Sequence, residues 1–416
     1  MFSIEHQDTL ESVISSLRRH GWKVIVTIRT SYRLNFQNVI LKTSRVLEYP
    51  VQKLTETDLM LISQRHGFSL PESEAMRGFL CNLFYLKLYL SKANVSANSV
   101  EEFLKNVWKQ VICNASNQRN SLHIRRDRAI CALVQSNVEN RTLYWIPTAD
   151  TDWDAISTLS NDGIIQLNEV MGGYFITHDV YEEMVLNHII TREYRNRQNA
   201  GAVFLSIGDS LTMRKAFRTW LHKQLGSEDE GMGRFLAEVL MDEEIDLIWK
   251  DEILIALMSE EGPYYPRLLD DVLKEHEFIL FIRALNLLNT ACKVVDEETY
   301  EKIVEIGEYK DYSRFRFTKP YGYGWKYLIP YTYENRHEIP WSPVIVMLVA
   351  DALYAWNHHS HTGETTKVSG LLALYLYQKS QGKEYRYRLG EEKIGRICDA
   401  ILQGSQEILP ELTKII

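Results

Sequence analysis

A chain of 416 residues, 45% hydrophobic and 25% charged, has the material for roughly two to four folded domains. Its formal net charge of −8 excludes a protein built chiefly to coat nucleic acid. The five cysteines are scattered and form no C-x-x-C pair, which excludes a disulfide framework or cysteine zinc site and fits reduced thiols in a cytoplasm.

In chain order, Leu10, Val13, Ile14 and Leu17 have the spacing of an amphipathic helix, closed by Gly21. Lys23–Ile28 reads as a strand buried on both faces, with Arg29 just past its end, where α/β folds place ligand-contacting residues. A second strand, Arg45–Tyr49, leads to a capping box at Thr55 and Asp58 that opens a helix ending near Gly67. Phe79, Leu80, Leu83, Phe84, Leu86, Leu88 and Leu90 predict a deeply buried helix, apolar on most faces. Ser99 with Glu102 caps another, whose stripe is Phe103, Leu104, Val107, Trp108, Val111 and Ile112. Arg119, Arg125, Arg126 and Arg128 form a basic cluster ahead of a helix over Ala129–Gln135.

Asp152–Leu159 is predicted as a short helix, and Ile164–Leu167 and Tyr174–Ile176 as strands joined through Gly172 and Gly173. A long helix opens at Thr177, His178 and Asp179. Thr177 suits an N-cap, and Asp179, Glu182 and Glu183 put negative charge where a helix start favours it. His178 therefore sits where outward-pointing backbone N–H groups could hold a phosphate. Helices, a β-hairpin and a long helix give a winged-helix outline. Beyond Gly201 the chain reads as mostly helical. Ser227–Asp246 is an acid-rich solvated loop and helix face. Tyr312–Trp341, dense in aromatic residues, is either a recognition surface or a packed irregular loop between helices. The strongest apolar run, Val344–Ala350, is too short to cross a bilayer.

Three short motifs carry competing chemistry. Gly208, Asp209, Ser210 and Leu211 match the opening block of GDSL hydrolases, with Ser210 as nucleophile, but the downstream Gly-x-Asn-Asp and Asp-x-x-His blocks are missing from the sequence. His358, His359 and His361 near Glu364 offer metal ligands, or simply a polar loop, and no metal site is assigned. A winged helix beside Arg125, Arg126 and Arg128 could meet DNA, although Asp179, Glu182, Glu183 and Glu193 oppose phosphate on the 178–197 helix.

Val24–Arg29, Tyr49–Thr55, Asn82–Leu86 and Tyr174–Asp179, in that order, resemble the signal-transducing STAND NTPases, ATP-dependent switches of innate immunity, apoptosis and bacterial antiviral defence. Ile207–Leu211, Arg214 and Phe217–Leu221 look like the helix that follows the winged helix in bacterial members. The resemblance implies a mainly α fold with a partial α/β unit: the end of a P-loop NTPase domain (1–50), a helical domain (51–120), a winged helix (121–200) and an α-helical sensor or arm region (201–416). It implies that Arg29 reads the γ-phosphate, and that His178 and Asp179 form the latch at the ADP β-phosphate. ATP or ADP with Mg²⁺ would be the cofactor of the whole switch. A homo-oligomer on activation, a protein or nucleic-acid trigger and an amino-terminal NTPase or effector portion would be the partners. Leu83 stands where the family has the proline that packs near adenine, which puts that contact in question. No G-x-x-x-x-G-K-[ST] occurs in the sequence, so the chain is expected to be the carboxyl-terminal part of such a switch, to hold nucleotide weakly by itself and to hydrolyse no ATP. The alternatives are a non-catalytic winged-helix interaction protein that uses no nucleotide, and the Ser210 hydrolase.

Overall fold

The computed structural model of the protein describes residues 4–23, 53–91, 97–114, 121–226, 230–262, 264–305, 317–380, 394–404 and 407–412. Arg29, Arg119 and nearly all of the strands expected over 23–49 lie outside the described residues. What is described is mainly helical, and none of its helices is long and apolar enough to cross a membrane. The chain divides into two units, Met1–Leu133 with Arg141–Tyr181, and Val134–Asn140 with Glu182–Ile416.

In the first unit the capping box forms as its residues dictate. The Thr55 hydroxyl accepts from Asp58 N at 3.1 Å while the Asp58 carboxylate accepts from Thr55 N at 2.9 Å, and the helix Glu56–His66 ends at Gly67 in the left-handed conformation. The single helix expected across Phe79–Leu90 is instead two, Glu74–Leu80 and Leu83–Ser91. The break falls at Asn82, whose side-chain oxygen accepts from Phe84 N at 2.9 Å and so caps the second helix. Leu83, the first residue after that break, is 53% exposed rather than buried.

The stripe from Phe103 to Ile112 is real, but its last five residues, Trp108–Ile112, wind into a π-helix. Arg125, Arg126 and Arg128 do not precede a helix; they lie within one, Leu122–Asn140. Asp152 caps Trp153–Asn161, and strands β1 (Ile165–Asn168) and β2 (Gly173–Ile176) pair antiparallel with Ile165 opposite Ile176. Trp145 joins as a third chain, exchanging backbone hydrogen bonds with Tyr174 at 2.8 Å in each direction. A Cβ on Gly173 would lie 3.1 Å from the Trp145 carbonyl oxygen, so glycine is what permits that approach.

The second unit is organised on one enclosed helix, Leu247–Ser259, apolar at Trp249 and from Ile253 to Met258. The helices Leu211–Leu225, Glu230–Met241, Pro266–Thr290 and Gly324–Glu334 pack around it. Two of its buried or half-buried acids are paired: Arg218 reaches Glu252 at 2.5 Å, and Arg283 grips both oxygens of Asp251 at 2.8 and 2.5 Å, while burial pushes the Lys250 ammonium below its ordinary pKa. The acid-rich stretch contains the helix Glu230–Met241, whose Met232, Phe235, Leu236, Val239 and Leu240 are buried.

The aromatic stretch is neither an irregular loop nor an exposed surface over its described part. It contains the helix Gly324–Glu334, with Trp325 fully buried and its indole donating to Cys292 O at 2.7 Å. Gly322, at φ +90°, and Gly324 explain why: a Cβ on the first would fall 2.3 Å from Met258 O, and on the second 2.5 Å from the Met258 Cβ. Trp325 and Tyr331 are packing material brought close by two glycines, whereas Tyr321 stays exposed.

Candidate functional site

The junction around His178 builds itself from the hairpin. Thr177 does not cap the following helix as expected. Its backbone N–H and hydroxyl both turn back to the β1 entry, donating to Ile164 O at 3.0 Å each, and the hydroxyl also reaches Gly163 O at 2.7 Å. The cap passes to the next residue. Helix Asp179–Asn196 begins at Asp179, and His178 Nδ1 accepts from Val180 N at 3.2 Å. With Nδ1 accepting, the proton of a neutral ring is carried on Nε2.

Sequence reasoning singled out His178 and Asp179 but missed what fixes the ring. Phe84 lies face to face with the imidazole, centroids 3.7 Å apart and planes 24° from parallel. The Tyr181 ring meets Phe84 edge-on at 5.2 Å, and burial, with Asp162 adding, pushes the Tyr181 hydroxyl above its ordinary pKa. The Asn82-capped start of one helix and the His178-capped start of another are therefore held together by one aromatic contact. Asp179 is exposed at the first turn of its helix. The only forewarning of this contact was Asn82 before Leu83 and Phe84, an N-cap pattern inside an apolar run.

Two arginines of the basic cluster are spoken for. Arg125 grips Asp152 through Nε and Nη2 at 2.6 and 2.5 Å and meets Asp154 at 3.0 Å, which holds Asp152 below the usual carboxylate range. Arg126 is fully buried. It donates to Ile112 O at 2.8 Å and Val111 O at 3.2 Å, capping the π-helix, and pairs with Asp162 at 2.8 Å. Neither guanidinium is presented to a nucleic-acid phosphate; Arg128 alone of the three is exposed.

Ser210 is the N-cap of Leu211–Leu225, its hydroxyl accepting from Met213 N at 3.2 Å, a structural role that accounts for the GDSL-like match. Burial pushes the thiols of Cys113 and Cys292 up to about 12 and about 11, so neither is an activated nucleophile. His358 and His359 are not loop residues: they close the helix Pro343–His359, their rings 4.9 Å apart, and only His361 lies beyond it. No family model and no curated protein matches this sequence.

Proposed function

We propose that the chain is the regulatory part of an ATP/ADP-switched signalling NTPase of the STAND class, with the His178 junction as its latch at the nucleotide β-phosphate. The observation that carries the reading is the Phe84–His178 stack at 3.7 Å, which sets the Asn82–Phe84 turn, the counterpart of the family's adenine-side motif, against the latch histidine. Two capped helix starts there offer the positive ends that favour a phosphate. The succession of helix Leu122–Asn140, the Trp145 bridge, helix Trp153–Asn161, the β1–β2 hairpin and helix Asp179–Asn196 supports a winged helix.

In this reading Arg29 senses the γ-phosphate. The sequence holds no P-loop motif, so Mg²⁺ and the phosphates would be cradled by a P-loop unit encoded elsewhere. Exchange of ADP for ATP releases the latch and permits oligomerisation, provided the two nucleotides differ in affinity for the closed state. Residues 226–416 receive the trigger or contact a partner.

Photolabelling with 8-azido-ADP at millimolar concentration tests the site. Labelling of the peptide around Asn82–Tyr85, competed by ADP and weakened about tenfold in His178→Asn, is the expected result, because asparagine keeps the cap but lacks Nε2. Label that ADP does not compete would overturn it. The alternative, a winged-helix interaction protein without nucleotide, draws support from the hairpin end, where Val170 is 93% exposed and Met171 and Ile146 are also exposed.

A further inference from the structure

Within the second unit, the end of helix Pro266–Thr290, strands β3 (Lys293–Val295) and β4 (Thr318–Pro320), helix Pro343–His359 and Arg396 surround a cavity of about 410 Å³. That volume is in the range of small-molecule sites. Its charges balance, with one remainder. Asp351 is bonded to Arg396 at 2.6 Å. Asp296 is spent on the start of helix Glu297–Glu305: it accepts from the Thr299 hydroxyl at 2.6 Å, faces Lys319 at 3.5 Å, and lies below the usual carboxylate range on the strength of the Thr299 bond. Burial, with His358 adjacent, pushes His359 below its ordinary value of 6.5, so at neutral pH it brings no positive charge.

Lys293 is the remainder. Its side chain is partly buried on β3, and no hydrogen bond or ion pair joins its ammonium to another described residue; the nearest aromatic face is Trp325, 5.7 Å from ammonium to ring centroid. Asp351 acts on this charge only from beyond contact distance and is itself bonded to Arg396, so the ammonium, whose charge burial disfavours, is costly to keep unless something supplies an anion. Beside it, Tyr354 and His358, one helical turn apart, present rings within 15° of parallel. Two flat ring faces, with the Arg396 guanidinium 5.6 Å from the Tyr354 centroid and one ammonium that forms no ion pair, suit a planar molecule that ends in an acid.

We propose that this cavity binds a small ring-bearing anion, its carboxylate or phosphate head on Lys293 and its ring against Tyr354 and His358. The site is independent of the nucleotide reading and involves none of the residues of the His178 junction.

Calorimetric titration of the chain with benzoate, phenyl phosphate and the uncharged benzyl alcohol tests it. At least one anion binds while benzyl alcohol binds more weakly by about tenfold or more, and the preferred anion assigns the head group. Lys293→Gln lowers that affinity roughly tenfold, and Lys293→Arg restores most of it because the charge returns. Asp351→Asn raises affinity, since it removes a carboxylate that repels the ligand; general loss of packing would lower it instead. Absence of binding by both anions at about 10 mM, weaker than any affinity expected of a specific charged contact, overturns the proposal. So does an equal loss in Lys293→Gln and Lys293→Arg.

Discussion

Two stretches of this chain advertise recognition in sequence and spend themselves on packing in the structure. In the first unit it is an arginine cluster, and in the second an aromatic run. Arg125 and Arg126 are consumed by Asp152, Asp154, Asp162 and the carbonyls that end a π-helix. Trp325 and its neighbours are drawn inward by Gly322 and Gly324 against Met258. The difference lies in what holds each region. One is fixed by charge-assisted hydrogen bonds and responds to ionisation; the other is fixed by close fit and responds to volume.

The sharpest way to break this contrast is Arg126→Ala. It strands Asp162 and two carbonyl oxygens, and should cost about 3 kcal/mol in urea unfolding, the low end for a broken buried pair because the Asp162 side chain is 35% exposed. A loss under about 1 kcal/mol would mean that the π-helix does not depend on its guanidinium cap. Gly322→Ala probes the other region. The added methyl meets a backbone oxygen at 2.3 Å and φ is +90°, so a loss of about 2 kcal/mol is expected, with the m-value unchanged. The smallest effect is the pH response of Asp152. Its folded pKa is lowered by Arg125, so its contribution is present above the ordinary value of 3.8 and is lost as pH falls through the lower folded value. Asp152→Asn keeps the cap and should flatten that acid limb; an unchanged slope would assign the acid response to other carboxylates.

How much of this was legible depended on the range of the interaction. The Thr55 capping box, the β1–β2 hairpin and the Asp152-capped helix are local, each decided by residues within about a dozen positions, and they stand within a residue or two of where they were expected. The N-cap at His178 was misassigned to Thr177 because the Thr177 hydroxyl answers to Gly163 and Ile164, fourteen and thirteen residues away. The break at Asn82 was hidden by apolar residues on both sides, which kept the helical period running through it. Of the candidate site, His178 and Asp179 were visible as a motif, whereas their partner Phe84 was only one apolar residue among many. Of the Lys293 cavity only His358 and His359 stood out in the sequence, as a possible metal cluster, since its walls come from segments separated by up to about a hundred residues.

The enclosed helix Leu247–Ser259 has a consequence for how the second unit can respond to anything that binds it. Nine of its thirteen residues are buried, so an effector has little of it to touch. It can register only the displacement of the helices that surround it. One of these, Pro266–Thr290, ends at the cavity wall, where the Asn289 amide bonds both Leu285 O and Leu348 O at 3.0 Å and ties that helix to Pro343–His359. Close-packed interiors compress little, so a wall that shifts carries its neighbour with it as a body. A deeply enclosed helix of the unit is thereby mechanically one step from the Lys293 cavity.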